Sequence, residues 1–228
     1  MREMTFEKKV LARALFEEGG FLDRSKSPDG AGFFLRLHDR DPNAPRSPYY
    51  LNLRTPGNTN PGPVTGPLLT MLGCALFDEA KRQKLQFRSV AGLPTAGTSL
   101  AKSFYSFCIT ECADNPAVLI NMDKDKSGDF RFVTPIPPCA SSLLLIDDVV
   151  TKAGSIYKAV KILSLSGISM NTCLVIVDRE QGGVKKLKAE MIYVRSLFTI
   201  TELVNFYLEE GLLKEEQAKE IFSYIGKN

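Results

Sequence analysis

Asp147 and Asp148 stand side by side after the apolar run Leu144-Leu145-Ile146, and Val149-Val150-Thr151-Lys152-Ala153-Gly154-Ser155 follows them. Adjacent carboxylates can accept hydrogen bonds from a diol or face a divalent cation. A turn of small residues gathers backbone amides, and such nests and helix starts bind phosphate. In this order the groups suit a sugar phosphate: Asp147 and Asp148 would meet ribose hydroxyls or a magnesium ion, and the turn would hold the 5′-phosphate. A buried strand that stops at a helix start is the plainer reading, since the helix dipole favours acids there. Each residue alone fits that reading, but the strand, paired acids, Thr, Gly and Ser in one order favour phosphate binding.

Other segments offer groups that could complete such a site. Arg179, in Val177-Asp178-Arg179-Glu180-Gln181-Gly182-Gly183, carries the planar donor fork that matches a carboxylate, which lysine lacks. Taken alone it reads as a surface arginine paired with Asp178 or Glu180. Tyr49 and Tyr50 alternate across a strand, so one can face a ring while the other packs inward. Gly92 to Ser99 is a Gly-rich turn before a helix, a plausible anion seat, but it lacks the lysine of a nucleotide-triphosphate loop. Asp123 to Asp129 mimics the first half of a calcium-binding loop, yet its twelfth position is Thr134 and its flanks read as strands. His38 has no partner visible in the sequence and reads as structural.

The elements that must position these groups suit one α/β domain over residues 1–228, with an N-terminal helix and hood over 1–63 and a core over 64–228. The chain is 44% hydrophobic and 24% charged with a net charge of +3, too small and too scattered to argue for nucleic acid. Nothing approaches the ~18 apolar residues of a membrane span, and the first ten residues carry no secretory signal. Five cysteines, odd in number and scattered (Cys74, Cys108, Cys112, Cys139, Cys173), suit free thiols in a reducing, cytoplasmic compartment. Cys108 and Cys112 share a helical face, but a zinc site there lacks further ligands.

Apolar spacing predicts an opening helix over Phe6 to Phe16, ended by Gly19-Gly20. Two short strands, Gly32 to Leu37 and Tyr49 to Arg54, interrupt the irregular hood. Helices are then expected at Val64–Lys84, Thr98–Ile109 and Ser155–Ser166, and strands at Phe87–Ala91, Val118–Asn121, Phe130–Val133, Leu143–Ile146 and Thr172–Val177. Two helices, Thr199–Glu209 and Lys214–Tyr224, close the chain. Apolar strands alternating with helices predict a mainly parallel sheet flanked by helices. Ligands of such sheets bind beyond the carboxyl ends of the strands, where Asp147-Asp148 and Asp178-Arg179 are expected.

The run from Leu144 to Ser155 resembles the phosphoribosyl-pyrophosphate (PRPP) motif of type I phosphoribosyltransferases. Within that group three further segments resemble orotate phosphoribosyltransferase: Ser47-Pro48-Tyr49-Tyr50-Leu51-Asn52-Leu53-Arg54, the loop Gly92 to Ala101, and Asp178 to Gly183. The resemblance implies a type I phosphoribosyltransferase-like fold with a small N-terminal hood, and transfer of ribose 5-phosphate from PRPP to orotate, giving orotidine 5′-monophosphate and pyrophosphate. It implies that Asp147, Asp148, Val149, Val150, Thr151, Lys152, Ala153, Gly154 and Ser155 bind PRPP, that Arg36, Tyr49, Tyr50, Thr151 and Arg179 seat orotate, and that Thr95, Ala96 and Gly97 meet pyrophosphate. It further implies Mg²⁺ carried by PRPP with no firm protein ligand, a homodimer, and a flexible catalytic loop at Asn121 to Asp129 donated across the dimer interface. Lys124 and Lys126, with Asp148, are the catalytic candidates. The chain departs from the family at three places: Arg36 and Ala96 stand where lysines are usual, and the loop lacks the family's arginine and its His or Tyr before Gly128. A PRPP sensor without turnover, or a transferase for another base, is therefore also open at this point.

Overall fold

A computed structural model describes residues 4–39, 41–111, 117–133, 135–138 and 140–226, without the side chain of Arg36. Cys112, Cys139 and Thr134 lie outside the described residues. The opening helix α1 (Phe6–Glu17) starts where the Thr5 hydroxyl accepts the Lys8 amide, and it buries Leu11, Ala12 and Leu15. In the hood, β1 (Phe21–Asp23) pairs antiparallel with β2 (Tyr49–Leu51), which is shorter than the spacing predicts. The strand expected over Gly32 to Leu37 does not form. Only Phe33 makes a bridge, with Ser47, and Arg36–Asp39 winds into a 3-10 turn. The His38 ring explains the difference: Nδ1 accepts the Leu35 amide at 2.9 Å and Nε2 meets the Ala44 carbonyl at 3.1 Å, drawing the backbone out of extension. The histidine is thus a structural tie.

The core begins with α2 (Gly66–Arg82), capped by Thr65. It is followed by β3 (Ser89–Gly92), α3 (Ala96–Glu111), β4 (Val118–Ile120), the hairpin of β5 (Met122–Lys124) and β6 (Phe130–Phe132), then β7 (Ser142–Val150) and α4 (Gly154–Leu165). The chain continues through β8 (Ser169–Asp178), α5 (Gly183–Ala189), β9 (Tyr193–Thr199), α6 (Ile200–Glu209) and α7 (Glu215–Ile225). Five strands form one sheet in the order β4-β3-β7-β8-β9, and every neighbouring pair is parallel. Alternate residues feed two cores. Leu144, Ile146, Leu174 and Ile176 face α2, α3, α6 and the hood. Leu143, Leu145, Cys173 and Val175 face α4, α5 and the hairpin.

This order places the topological switch between β3 and β7, because the chain adds β4 on one side of β3 and everything later on the other. Crevices for ligands open at the carboxyl ends of the strands at such a point. The loop after β3 carries Thr95, Ala96 and Gly97; the loop after β7 carries Thr151 to Ser155. Among the described residues, no helix is long and apolar enough to cross a membrane.

Candidate functional site

The strand β7 runs past Ile146, where the apolar run stops, to Val150, because its ladder to β8 continues through Val149–Val177 and Val150–Asp178. Asp147 and Asp148 therefore lie inside the strand rather than at its end. Each carboxylate accepts the next backbone amide, Asp148 N–H at 2.9 Å and Val149 N–H at 2.8 Å. Asp147 is buried and Asp148 half-buried. Burial holds the Asp147 carboxyl well above the usual carboxylate range, the neighbouring Asp148 charge adds to this, and the Lys124 ammonium opposes it.

After Val150 the chain turns at Ala153, whose φ of 71° is left-handed. No side chain caps α4, so its first-turn amides have no partner within the helix and face the loop of Thr151, Lys152, Gly154 and Ser155. A non-glycine residue in this conformation stores strain, which functional loops tolerate. The opposite wall is the start of α3. A Cβ on Gly97 would lie 2.5 Å from the Ile146 carbonyl oxygen and 3.2 Å from the Asp147 Cα, so only glycine lets this loop press against the acids. Thr95 is exposed there, Ala96 is buried, and the Thr95 carbonyl accepts the Asn58 amide of the hood at 3.4 Å.

The third wall comes from β8. The Arg179 amide donates to the Val150 carbonyl at 3.0 Å and the Gly183 amide to the Thr151 carbonyl at 2.9 Å, fastening the Arg179 segment to the loop after β7. A Cβ on Gly183 would meet that Thr151 oxygen at 2.2 Å. Arg179 is not the exposed, acid-paired arginine that its neighbours suggest. Only 6% of it is exposed, Asp178 accepts the Glu180 amide and Glu180 accepts the Thr201 amide. The guanidinium instead donates from Nε to the Tyr49 hydroxyl at 3.0 Å and from Nη2 to Ser47 Oγ at 3.4 Å. It forms no ion pair among the described residues, and a buried cation without a counter-charge is costly unless a ligand supplies one.

Of the two tyrosines, Tyr49 packs inward: it is fully buried, stacked on Phe21 at 6.0 Å and 5°, and presents no surface to a base. Tyr50 is half-buried, stacked on Phe33 at 5.5 Å, with its hydroxyl bonded by Arg54. Arg36 opens the 3-10 turn of the hood, and its side chain lies outside the described residues. Ser47 was not singled out by residue type. It shares the face of Tyr49 at the strand period of two, which is the signal that would have found it.

Asn121 to Asp129, expected as a flexible catalytic loop, supplies the first strand and the turn of a β-hairpin. Met122 and Phe130 are buried in the second core, and the Asp125 carboxylate accepts the Ser127 and Asp129 amides at 2.8 and 3.0 Å. Asp125 builds a turn, and among the described residues no three His, Cys, Asp or Glu side chains gather to hold a metal. The hairpin leans on its own α4 through Asp129–Lys158 at 3.4 Å, with Lys124 half-buried at the end of β5 and Lys126 exposed at the turn.

Beside this geometry stand the likenesses of the whole chain to known proteins. Over 182 residues the chain is 31% identical to an orotate phosphoribosyltransferase of Sulfurisphaera tokodaii, covering 80% of this chain and 86% of that one. The chain belongs to the orotate phosphoribosyltransferase family. Its fold matches the family enzyme of Aeropyrum pernix with a TM-score of 0.62 at 20% identity, over 89% of this chain and 99% of that one. A UMP synthase of Leishmania donovani gives a TM-score of 0.73 at 18% identity, over 97% of this chain but 42% of the longer protein. These likenesses show the type I phosphoribosyltransferase fold. No family model matches the chain. As a member of this family the chain is a phosphoribosyltransferase enzyme.

Proposed function

We propose that the three walls divide the work of orotate phosphoribosyl transfer, with PRPP across the acids and the α4 nest, pyrophosphate toward Thr95 to Gly97, and orotate against Arg179 and Tyr50. The enzyme transfers ribose 5-phosphate from PRPP to a ring nitrogen of orotate, giving orotidine 5′-monophosphate and pyrophosphate in pyrimidine synthesis. The observation that carries the division is the buried guanidinium of Arg179, without an acid partner among the described residues and tied by its own backbone to the loop after β7. A planar carboxylated ring is the ligand that such a cation lacks.

Breaking the C1–oxygen bond builds positive charge on the ribose and negative charge on pyrophosphate, so positioning and electrostatics carry the catalysis. Asp148 orients the ribose diol and faces the developing ribose cation, with Asp147 beside it. Backbone donors of Thr151 to Ser155 hold the 5′-phosphate, and Lys152 adds a cation at the rim. Lys124 faces the leaving group from its own hairpin, while exposed Lys126 is the cation a neighbouring subunit would meet in the homodimer that forms part of this proposal. Mg²⁺ carried by PRPP, with Asp148 near it, would neutralise pyrophosphate charge. A cytoplasmic setting belongs to the same reading, supported by the free thiols of Cys74 and Cys173.

The test is a split of affinities. Arg179→Ala is expected to weaken orotate binding about 10- to 100-fold, the range for a charged hydrogen-bond pair, while leaving PRPP affinity within about twofold. Asp148→Asn is expected to do the reverse. Equal loss of both ligands in Arg179→Ala, or unchanged PRPP affinity in Asp148→Asn, would refute the division.

A further inference from the structure

We propose that Tyr49 and Ser47 are positioning residues that set base specificity by turning Arg179 so that its terminal edge faces the ligand carboxylate. The proposal rests on Arg179 being the orotate cation. A guanidinium offers a carboxylate either its side edge, Nε with one Nη, or its end, the two Nη nitrogens. Here the side edge is occupied, because Nε donates to the Tyr49 hydroxyl at 3.0 Å. The ring beneath adds a second restraint, with the guanidinium carbon 4.7 Å from its centroid.

Ser47 fixes the remaining freedom. Its hydroxyl proton is committed to the Tyr49 carbonyl at 2.6 Å, so toward Arg179 it can act only as an acceptor, and it takes one Nη2 proton at 3.4 Å. Both residues are fully buried. Burial also raises the Tyr49 pKa against the pull of Arg179, keeping the phenol neutral. Of the three remaining protons, one on Nη1 and the second on Nη2 form the end edge, and the other Nη1 proton points back toward Cδ. Nη1 has no acceptor among the described residues. That edge matches the two oxygens of a planar carboxylate, whose charge a neutral carbonyl does not supply. Tyr49 and Ser47 of the hood, remote in sequence from β8, would thus tune the base site without touching the base themselves.

Steady-state kinetics on Tyr49→Phe and Ser47→Ala, beside Arg179→Ala, would test this. Tyr49→Phe keeps the ring and the packing but removes the acceptor. The KM for orotate is expected to rise about tenfold, the usual effect of losing a hydrogen bond to a charged group, with kcat and the KM for PRPP within about twofold. Ser47→Ala is expected to give a smaller rise of the same kind. An unchanged orotate KM in both, alongside a raised one in Arg179→Ala, would overturn the positioning role alone. Equal rises in both substrates' KM would overturn it too, as the mark of a merely structural contact. If Arg179→Ala itself left the orotate KM unchanged, the assignment of Arg179 would fall and this inference with it.

Discussion

At the scale of residues, the site keeps two ionised or ionisable groups where burial opposes charge, and each is useful for that reason. Asp147 is the clearer case. Its carboxyl is held well above the ordinary range by burial first and by Asp148 second, so the folded state keeps a proton that the unfolded chain releases. Between the unfolded and folded pKa values the native state binds more protons, and stability falls as pH rises through that window. Asp147→Asn keeps an oxygen for the Asp148 amide and removes the buried acid. At pH 7.5 the variant is expected to melt about 2–6 °C higher than the native chain, as about 1–2 kcal/mol would give at this size, and to show a smaller decline of melting temperature between acidic and neutral pH, the raised pKa of Asp178 supplying the rest. Thermal scans from pH 4.5 to 8 would check this; a lower melting temperature at pH 7.5 would contradict it. PRPP affinity should fall in the same variant, a trade of stability for function.

At the scale of elements, the apolar runs were legible and the short or mixed segments were not. Continuous runs at Leu144, Thr172 and Val90 announce buried parallel strands, and α2, α3, α4, α6 and α7 stand within a few residues of their expected spans. Four elements went unread: β1, β5, α5 and β9. β5 buries only Met122, and β9 at the sheet edge exposes Tyr193 and Arg195, so neither leaves a clean pattern. The extension of β7 through Asp147 and Asp148 was hidden because a ladder, unlike hydropathy, does not stop at charges. The burial of Arg179 was hidden because its partners, Ser47 and Tyr49, lie in the hood, far away in sequence. The fit of α3 against β7 yields a prediction at this scale. Gly97→Ala would place a methyl group 2.5 Å from the Ile146 carbonyl, forcing the loop outward. It is expected to lower stability by about 1–3 kcal/mol and kcat/KM for PRPP at least about tenfold; urea melts and kinetics that both match the native chain would show the loop has room to spare.

At the scale of the molecule, the switch between β3 and β7 brings three distant segments to one crevice, and the hood adds a fourth through Tyr49 and Asn58. The departures at Arg36, Ala96 and the Asn121 to Asp129 hairpin do not disturb this convergence, since the nest, the acids and Arg179 are all held by backbone ladders outside those segments. Turnover is therefore expected, and not binding alone. The direct measurement is to follow the orotate absorbance band after adding PRPP and Mg²⁺ to the purified chain, with pyrophosphate release monitored in parallel. The expected result is a saturable loss of orotate matched one for one by pyrophosphate. Saturable PRPP binding with no orotate consumed would contradict it.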